Sequence, residues 1–305
     1  MQYKFKFIKY AKLWFTVSAI AILIGIGAMI NNRMTIGTSL VYGIDFTGGS
    51  VMEFEFEGDL DPATDELYTA IDTAFPDSVS QITATDQNTY IVQSKDMSED
   101  QLQAVRTSVS EAIGNYELLR FNTIGPKIGD TLKRKAIIAL AIALVAIVLY
   151  IAYAFRKVPK KVSPWRFGFS AIVALAHDIM ITLGVFALLG FEINAFFITA
   201  LLTIMGFSVH DTIVVFDRIR ENLKKQGRND TFGDIADMSL NQTLTRSINT
   251  SVSTLFPLVA LYIWGAEVIR IFIFALIIGI FVGTYSSIFI ASPVLTIWQE
   301  RNRLR

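Results

Sequence analysis

Cysteine is absent from the 305 residues, and histidine occurs only twice. The first absence excludes disulfides, thiol nucleophiles and thiolate metal sites. Any soluble part of the chain must therefore be held by ordinary packing. Net charge is missing too: 27 Lys and Arg balance 27 Asp and Glu. No stretch interleaves basic and aromatic residues as a nucleic-acid surface would. No Ser, Cys or metal constellation is arranged for hydrolysis, and a His-Asp dipeptide without a placed nucleophile is not a triad. The chain reads as a non-enzyme, with no cofactor and no resident metal.

What the chain has in quantity is apolar sequence, 52% of its residues. Runs of about twenty such residues mark a protein that crosses a membrane several times. The zero balance hides an asymmetry. Residues 31–130 hold 17 acids against 5 bases, and the remainder holds 10 acids against 22 bases. An acidic soluble block is thus set in a basic membrane body, whose charge suits a lipid bilayer with anionic headgroups.

Lys4, Lys6, Lys9 and Lys12 precede the first apolar run, Leu13–Ile30. That run ends at Asn31-Asn32-Arg33 without a cleavage pattern, so residues 1–35 are expected to be a cytoplasmic N-terminus and a retained first helix. Residues 36–130 read as one extracytoplasmic domain. Met52, Phe54 and Phe56 alternate with Val51, Glu53, Glu55 and Glu57 as in a half-buried strand. Pro62 opens a helix carrying Leu67, Ala70, Ile71 and Ala74 at helical spacing. Strands follow at Ser78–Thr85 and Thr89–Ser94 around the turn Asp86-Gln87-Asn88. Ser98-Glu-Asp-Gln101 forms a capping box for a second helix, and Tyr116–Thr123 is a last strand. The order β-α-β-β-α-β is that of a ferredoxin-like α+β domain. Residues 131–305 supply five more helices: Ala136–Phe155, Phe167–Leu189, Ala195–Phe216, Arg246–Trp264 and Arg270–Trp298. Arg156, Lys157, Lys160 and Lys161, the basic segment Arg218–Arg228, and the tail Arg301–Arg305 fall on the cytoplasmic side, which leaves both termini inside. Lys133, Arg134 and Lys135 fall outside, beside a long translocated domain where the charge rule is weak.

Polar residues inside these runs stand out. The two histidines each precede an aspartate, His177-Asp178 on the third helix and His210-Asp211 on the fourth. Asp211 lies about six residues, or about 9 Å, before the exit charges Asp217 and Arg218. A carboxylate at such a depth costs about 2.5–3.5 kcal/mol on insertion scales and must face protein or water. It serves either to handle an ion or proton or to bond neighbouring helices. Zinc would need three or four converging ligands. Adjacent His and Asp side chains diverge by about 100° on a helix, which favours a hydrogen-bonded polar seam. The fifth helix carries Arg246, Asn249, Thr250, Ser253 and Pro257 at three- and four-residue steps, widened by Ser247, Ser251 and Thr254. Asp211 and Arg246 are expected to share a depth.

Three stretches are recognisable together: Gly43-Ile-Asp-Phe-Thr-Gly-Gly49, Gly125-Pro-Lys-Ile-Gly129, and Gly206 through Asn222. They resemble the SecF branch of the SecD/SecF family of bacterial protein-translocase subunits, within the resistance-nodulation-division superfamily. The likeness implies a bacterial cytoplasmic-membrane protein with half the spans of a complete transporter, paired with SecD. It also implies SecYEG, SecA and YidC as partners, and a translocating polypeptide as cargo drawn outward late in export by the proton-motive force. The family's proton-path residues map onto Asp211 and Arg246, with His210, His177 and Asp178 as neighbours. Asp45, Gly48, Gly49, Gly125 and Gly129 would form motif hinges, and Asp217 and Arg218 a border motif. Two rivals stay open: a structural scaffold without proton chemistry, and half of a small-solute efflux transporter.

Overall fold

A computed structural model describes residues 5–57, 62–84, 88–156, 158, 162–225 and 230–301. Lys4, Asp86, Gln87, Lys157, Lys160, Lys161, Arg228 and the tail after Arg301 lie outside the described residues. The chain divides into two compact units, Tyr42–Ile137 and the combination of Met1–Val41 with Ile138–Arg305.

The first long helix, α1 (Ala11–Thr35), precedes the small unit. That unit opens with the single turn α2 (Ile44–Thr47). It continues as β1 (Gly49–Phe56), α3 (Thr64–Ala74), β2 (Val79–Ala84), β3 (Thr89–Ser94), α4 (Glu99–Ala112) and β4 (Tyr116–Ile124). The strands form one antiparallel sheet in the order β2-β3-β1-β4, with β1 between β3 and β4. Alternation along β1 buries Met52, Phe54 and Phe56 against Leu67 and Ile71 of α3 and Leu102, Val105 and Val109 of α4. Each such side chain contributes about 1.5–3 kcal/mol, enough in sum to hold a small unit that has no disulfide. The opposite sheet face is polar and carries the ion pair Glu53–Arg120 at 3.2 Å. The expected capping box is present: Ser98 accepts from the Gln101 amide while Gln101 accepts from the Ser98 amide.

The larger unit is helical. Its other long helices are α5 (Pro126–Ala154), whose residues up to Ile137 count with the small unit, α6 (Pro164–Leu189), α7 (Ala195–Lys224) and α8 (Phe232–Trp264). A last composite span joins α9 (Arg270–Ser286), a π turn (Ser287–Ala291) and α10 (Ser292–Arg301). Among the described residues six helices are long and apolar enough to cross a membrane, the first Ile8–Thr35, which contains α1, and the last Glu267–Arg301. Two begin well before the apolar runs suggested. Pro126, whose missing amide suits a first helical position, starts α5 ahead of Ala136. Thr231 and Asp234 form a capping box that starts α8 ahead of Arg246. Hydropathy marks only the apolar part of a helix, whereas hydrogen bonding carries it on through polar turns.

Small residues set the helix crossings. A Cβ on Gly25 of α1 would come within 2.7 Å of the Gly184 Cα on α6. Gly279 of α9 similarly receives the Ile204 side chain of α7. Near the other end, Phe155, Phe167 and Phe216 pack ring against ring, with Phe155 and Phe167 stacked at 4.9 Å.

Candidate functional site: a buried polar network among the membrane helices

Asp178 of α6 is fully buried and fully bonded. Its Oδ1 lies 2.9 Å from Nδ1 of His177. Its Oδ2 accepts from Ser208 of α7 at 2.6 Å and from Ser286 of α9 at 2.9 Å. The other imidazole nitrogen of His177 is 3.0 Å from the Ser18 hydroxyl on α1. Ser18 donates to the Tyr285 hydroxyl at 3.2 Å, and Tyr285 donates to the Trp14 carbonyl at 3.1 Å. A continuous chain of hydrogen bonds thus ties α1, α6, α7 and α9 together. The imidazole of His177 turns back onto its neighbour, overcoming the angular divergence of adjacent helical positions.

Asp211 of α7 is bonded differently. Its Oδ1 accepts from Ser247 of α8 at 2.7 Å, while Oδ2 is buried with the Ser287 hydroxyl nearby but no partner at hydrogen-bonding geometry among the described residues. Thr212 pairs with Ser287 at 3.0 Å, and Ser251 with Thr284 at 2.5 Å, so hydroxyls surround this carboxylate on α8, α9 and the π turn. The Ser247 contact places Arg246, one residue earlier, at the level of Asp211 and within electrostatic reach of it. No ion pair joins the two among the described residues, and the Arg246 side chain is exposed. His210 is exposed as well. On α7 the exposed positions Thr199, Thr203, Gly206 and His210 follow one another at three- and four-residue steps, and α8 exposes Arg246, Asn249 and Ser253. Between these exposed positions α8 buries the Ser247 and Ser251 hydroxyls, which face Asp211 and Thr284.

Asp217 and Arg218 belong to a separate charged layer. Asp217 pairs with Arg220, and Arg218 with Glu221 at 2.5 Å. Arg218 also donates to Gln242 at 2.6 Å, and Asn222 donates to Ser239 and Gln242 at 2.9 Å, which fastens the end of α7 to the start of α8.

The two glycine motifs meet within the small unit. Gly48 has φ +73, and a Cβ there would fall 2.6 Å from the Pro126 Cα. A Cβ on Gly129 would fall 2.8 Å from the Gly48 amide nitrogen. Gly49, at φ +123, passes the Ser94 carbonyl so closely that a Cβ would sit 2.5 Å away. Asp45 lies in the first turn of α2, and Gly125 precedes α5, where a Cβ would reach the Asp96 carboxylate at 4.0 Å, an ordinary contact.

Sequence reasoning singled out the carboxylates and imidazoles but passed over Ser18, Ser208, Tyr285, Ser286 and Ser287. Their signal is weak, because a helical hydroxyl can satisfy itself on its own helix, as Thr182 does on the Asp178 carbonyl.

Comparison with known proteins identifies this arrangement. The profile of the protein export membrane protein SecD/SecF C-terminal region matches residues 104–301, and the SecD/SecF GG motif matches residues 40–59. The chain belongs to the SecD/SecF family. The protein translocase subunit SecF of Thermobaculum terrenum is 43% identical over 278 residues, 86% of each chain. The protein translocase subunit SecDF of Thermus thermophilus is 38% identical over 86% of this chain, which spans 35% of that longer protein. A crystal structure of SecDF, a translocon-associated membrane protein from Thermus thermophilus, superposes with a TM-score of 0.82 at 34% identity. That match covers 97% of this chain and 39% of SecDF. The SecD/SecF motif glycines are therefore the ones packed at Pro126 and Ser94, and the chain is a multi-pass membrane protein.

Proposed function

We propose that this chain is the SecF-type half of a SecD-SecF pair, a subunit without catalysis of its own. It draws on the proton-motive force to promote late export of polypeptides across the bacterial cytoplasmic membrane. Family membership supports a role in Sec protein translocation, and relatives in which SecD and SecF are one chain support the pairing. The exposed polar seam on α7 and α8 supports it physically. His210, Arg246 and Asn249 facing hydrocarbon would be costly, so a second helical half is expected to cover them. SecYEG, SecA and YidC are the remaining partners in this reading. We take both termini as cytoplasmic from the basic ends, and the small acidic unit as an extracytoplasmic ferredoxin-like domain.

The observation that carries the proton reading is the half-bonded Asp211, held by one hydroxyl on a neighbouring helix with a cation close by. The carboxylate holds a proton while Arg246 stands off and releases it when the guanidinium approaches, so a shift of α7 against α8 couples protonation to packing. One charge crossing 100 mV releases about 2.3 kcal/mol. That is comparable with coupling energies of about 1–3 kcal/mol in known switches. Asp211→Asn is expected to lower potential-dependent export to the level seen without the subunit, with assembly intact. The measurement is export in vesicles with and without a membrane potential; full stimulation by the variant would favour a scaffold.

A further inference from the structure

The N-terminal end of the membrane unit carries an open groove of about 520 Å³, within the ~300–1,000 Å³ range of small-molecule sites. Its walls are Phe7 and Trp14, Leu13 of α1, Leu244 of α8 and Phe289 of the π turn. The N-terminal segment that forms one side of it is pinned across α8. The Phe5 amide donates to Asn241 at 3.1 Å, Asn241 donates back to the Phe5 carbonyl at 2.8 Å, and the Ile8 amide donates to Asp237 at 3.0 Å. Trp14 donates to the Phe7 carbonyl at 3.2 Å and packs on Phe289 with ring centroids 4.3 Å apart. The floor is thus aromatic, and these local donors already have partners.

The rim is cationic. Lys6 lines the mouth beside the exposed Tyr10, and Lys9 and Lys12 follow within two turns, all three exposed and none in an ion pair among the described residues. The nearby acids are held by backbone amides, Asp237 by Ile8, Asp234 in its capping box and Glu300 by Gly233, and of these Asp237 lies within electrostatic reach of a rim lysine, Lys6. Aromatic and lysine side chains together at the end of a membrane-spanning helix mark the headgroup level. An apolar slot opening there beside three exposed lysines has the chemistry of an anionic phospholipid: chain inside, phosphate at the rim.

We propose that this groove binds one acyl chain of an anionic glycerophospholipid, with Lys6 holding the phosphate and Lys9 and Lys12 adding field. The proposal is independent of the proton reading. The test titrates the full chain in detergent with phosphatidylglycerol and with phosphatidylcholine of the same acyl chains, counting bound lipid by native mass spectrometry. Phosphatidylglycerol is expected to bind the more tightly. Lys6→Gln weakens it about fivefold, from the ~1 kcal/mol that one basic residue contributes near a charged lipid. Lys6→Arg keeps it, and the triple Lys6, Lys9 and Lys12→Gln variant loses the preference. Leu13→Trp fills the exposed side of the groove and lowers retention of both lipids without changing the melting temperature. Equal binding of the two lipids overturns the proposal, as does unaltered retention by the triple variant or by Leu13→Trp. A Leu13→Trp variant that releases a co-purifying helical partner while lipid binding is unchanged would give the groove to protein instead.

Discussion

Two buried aspartates on adjacent helices are bonded differently, and their substitutions should therefore behave differently. Asp178 accepts from His177, Ser208 and Ser286, so Asp178→Ala leaves up to three buried donors unanswered at about 1–3 kcal/mol each. Thermal unfolding of the purified chain should show a loss of several kcal/mol, partly restored by Asn. Asp211→Asn keeps an acceptor for the Ser247 hydroxyl, and its stability cost should stay under about 1 kcal/mol while the potential-dependent stimulation of export is lost. Both aspartates were legible because a charge inside an apolar run is conspicuous. Which of them is saturated was not legible, since that depends on Ser208, Ser247 and Ser286 arriving from other helices.

At the scale of elements, the crossings rest on glycines whose partners are known. Alanine at Gly184 would meet the backbone of α1 at Gly25, which has no side chain to move aside. Gly184→Ala should therefore part α1 from α6. Because the natural chain contains no cysteine, a pair of cysteines engineered on those two helices offers a clean check, with cross-linking expected to fall several-fold. Gly279→Ala meets only the Ile204 side chain, so Ile204→Ala should rescue it. Periodicity and caps located these helices, including the Ser98 box. Apolar runs missed the polar beginnings of α5 and α8, where a helical backbone continues through residues that would not enter a bilayer.

On the scale of the whole molecule, the chain is two units, each with its own core. The small one should fold by itself: a polypeptide of residues 42–130 is expected to unfold cooperatively in urea. Gly48→Ala in it should cost more than about 2 kcal/mol, because a positive φ and the Pro126 backbone both oppose a side chain. The strand succession was readable from alternation and turn residues. The clasp between Gly48 and Gly129 was not, since sequence separation conceals which glycines touch. The large unit carries a different lesson in the polar ridge that α7 and α8 leave uncovered. On the proposed pairing, a copy inserted alone would carry those polar groups into hydrocarbon at a cost. Its cellular abundance should then track that of the proposed companion, with pulse-chase half-life falling several-fold when the companion is deleted, and a single exposed helical face would set matched stoichiometry.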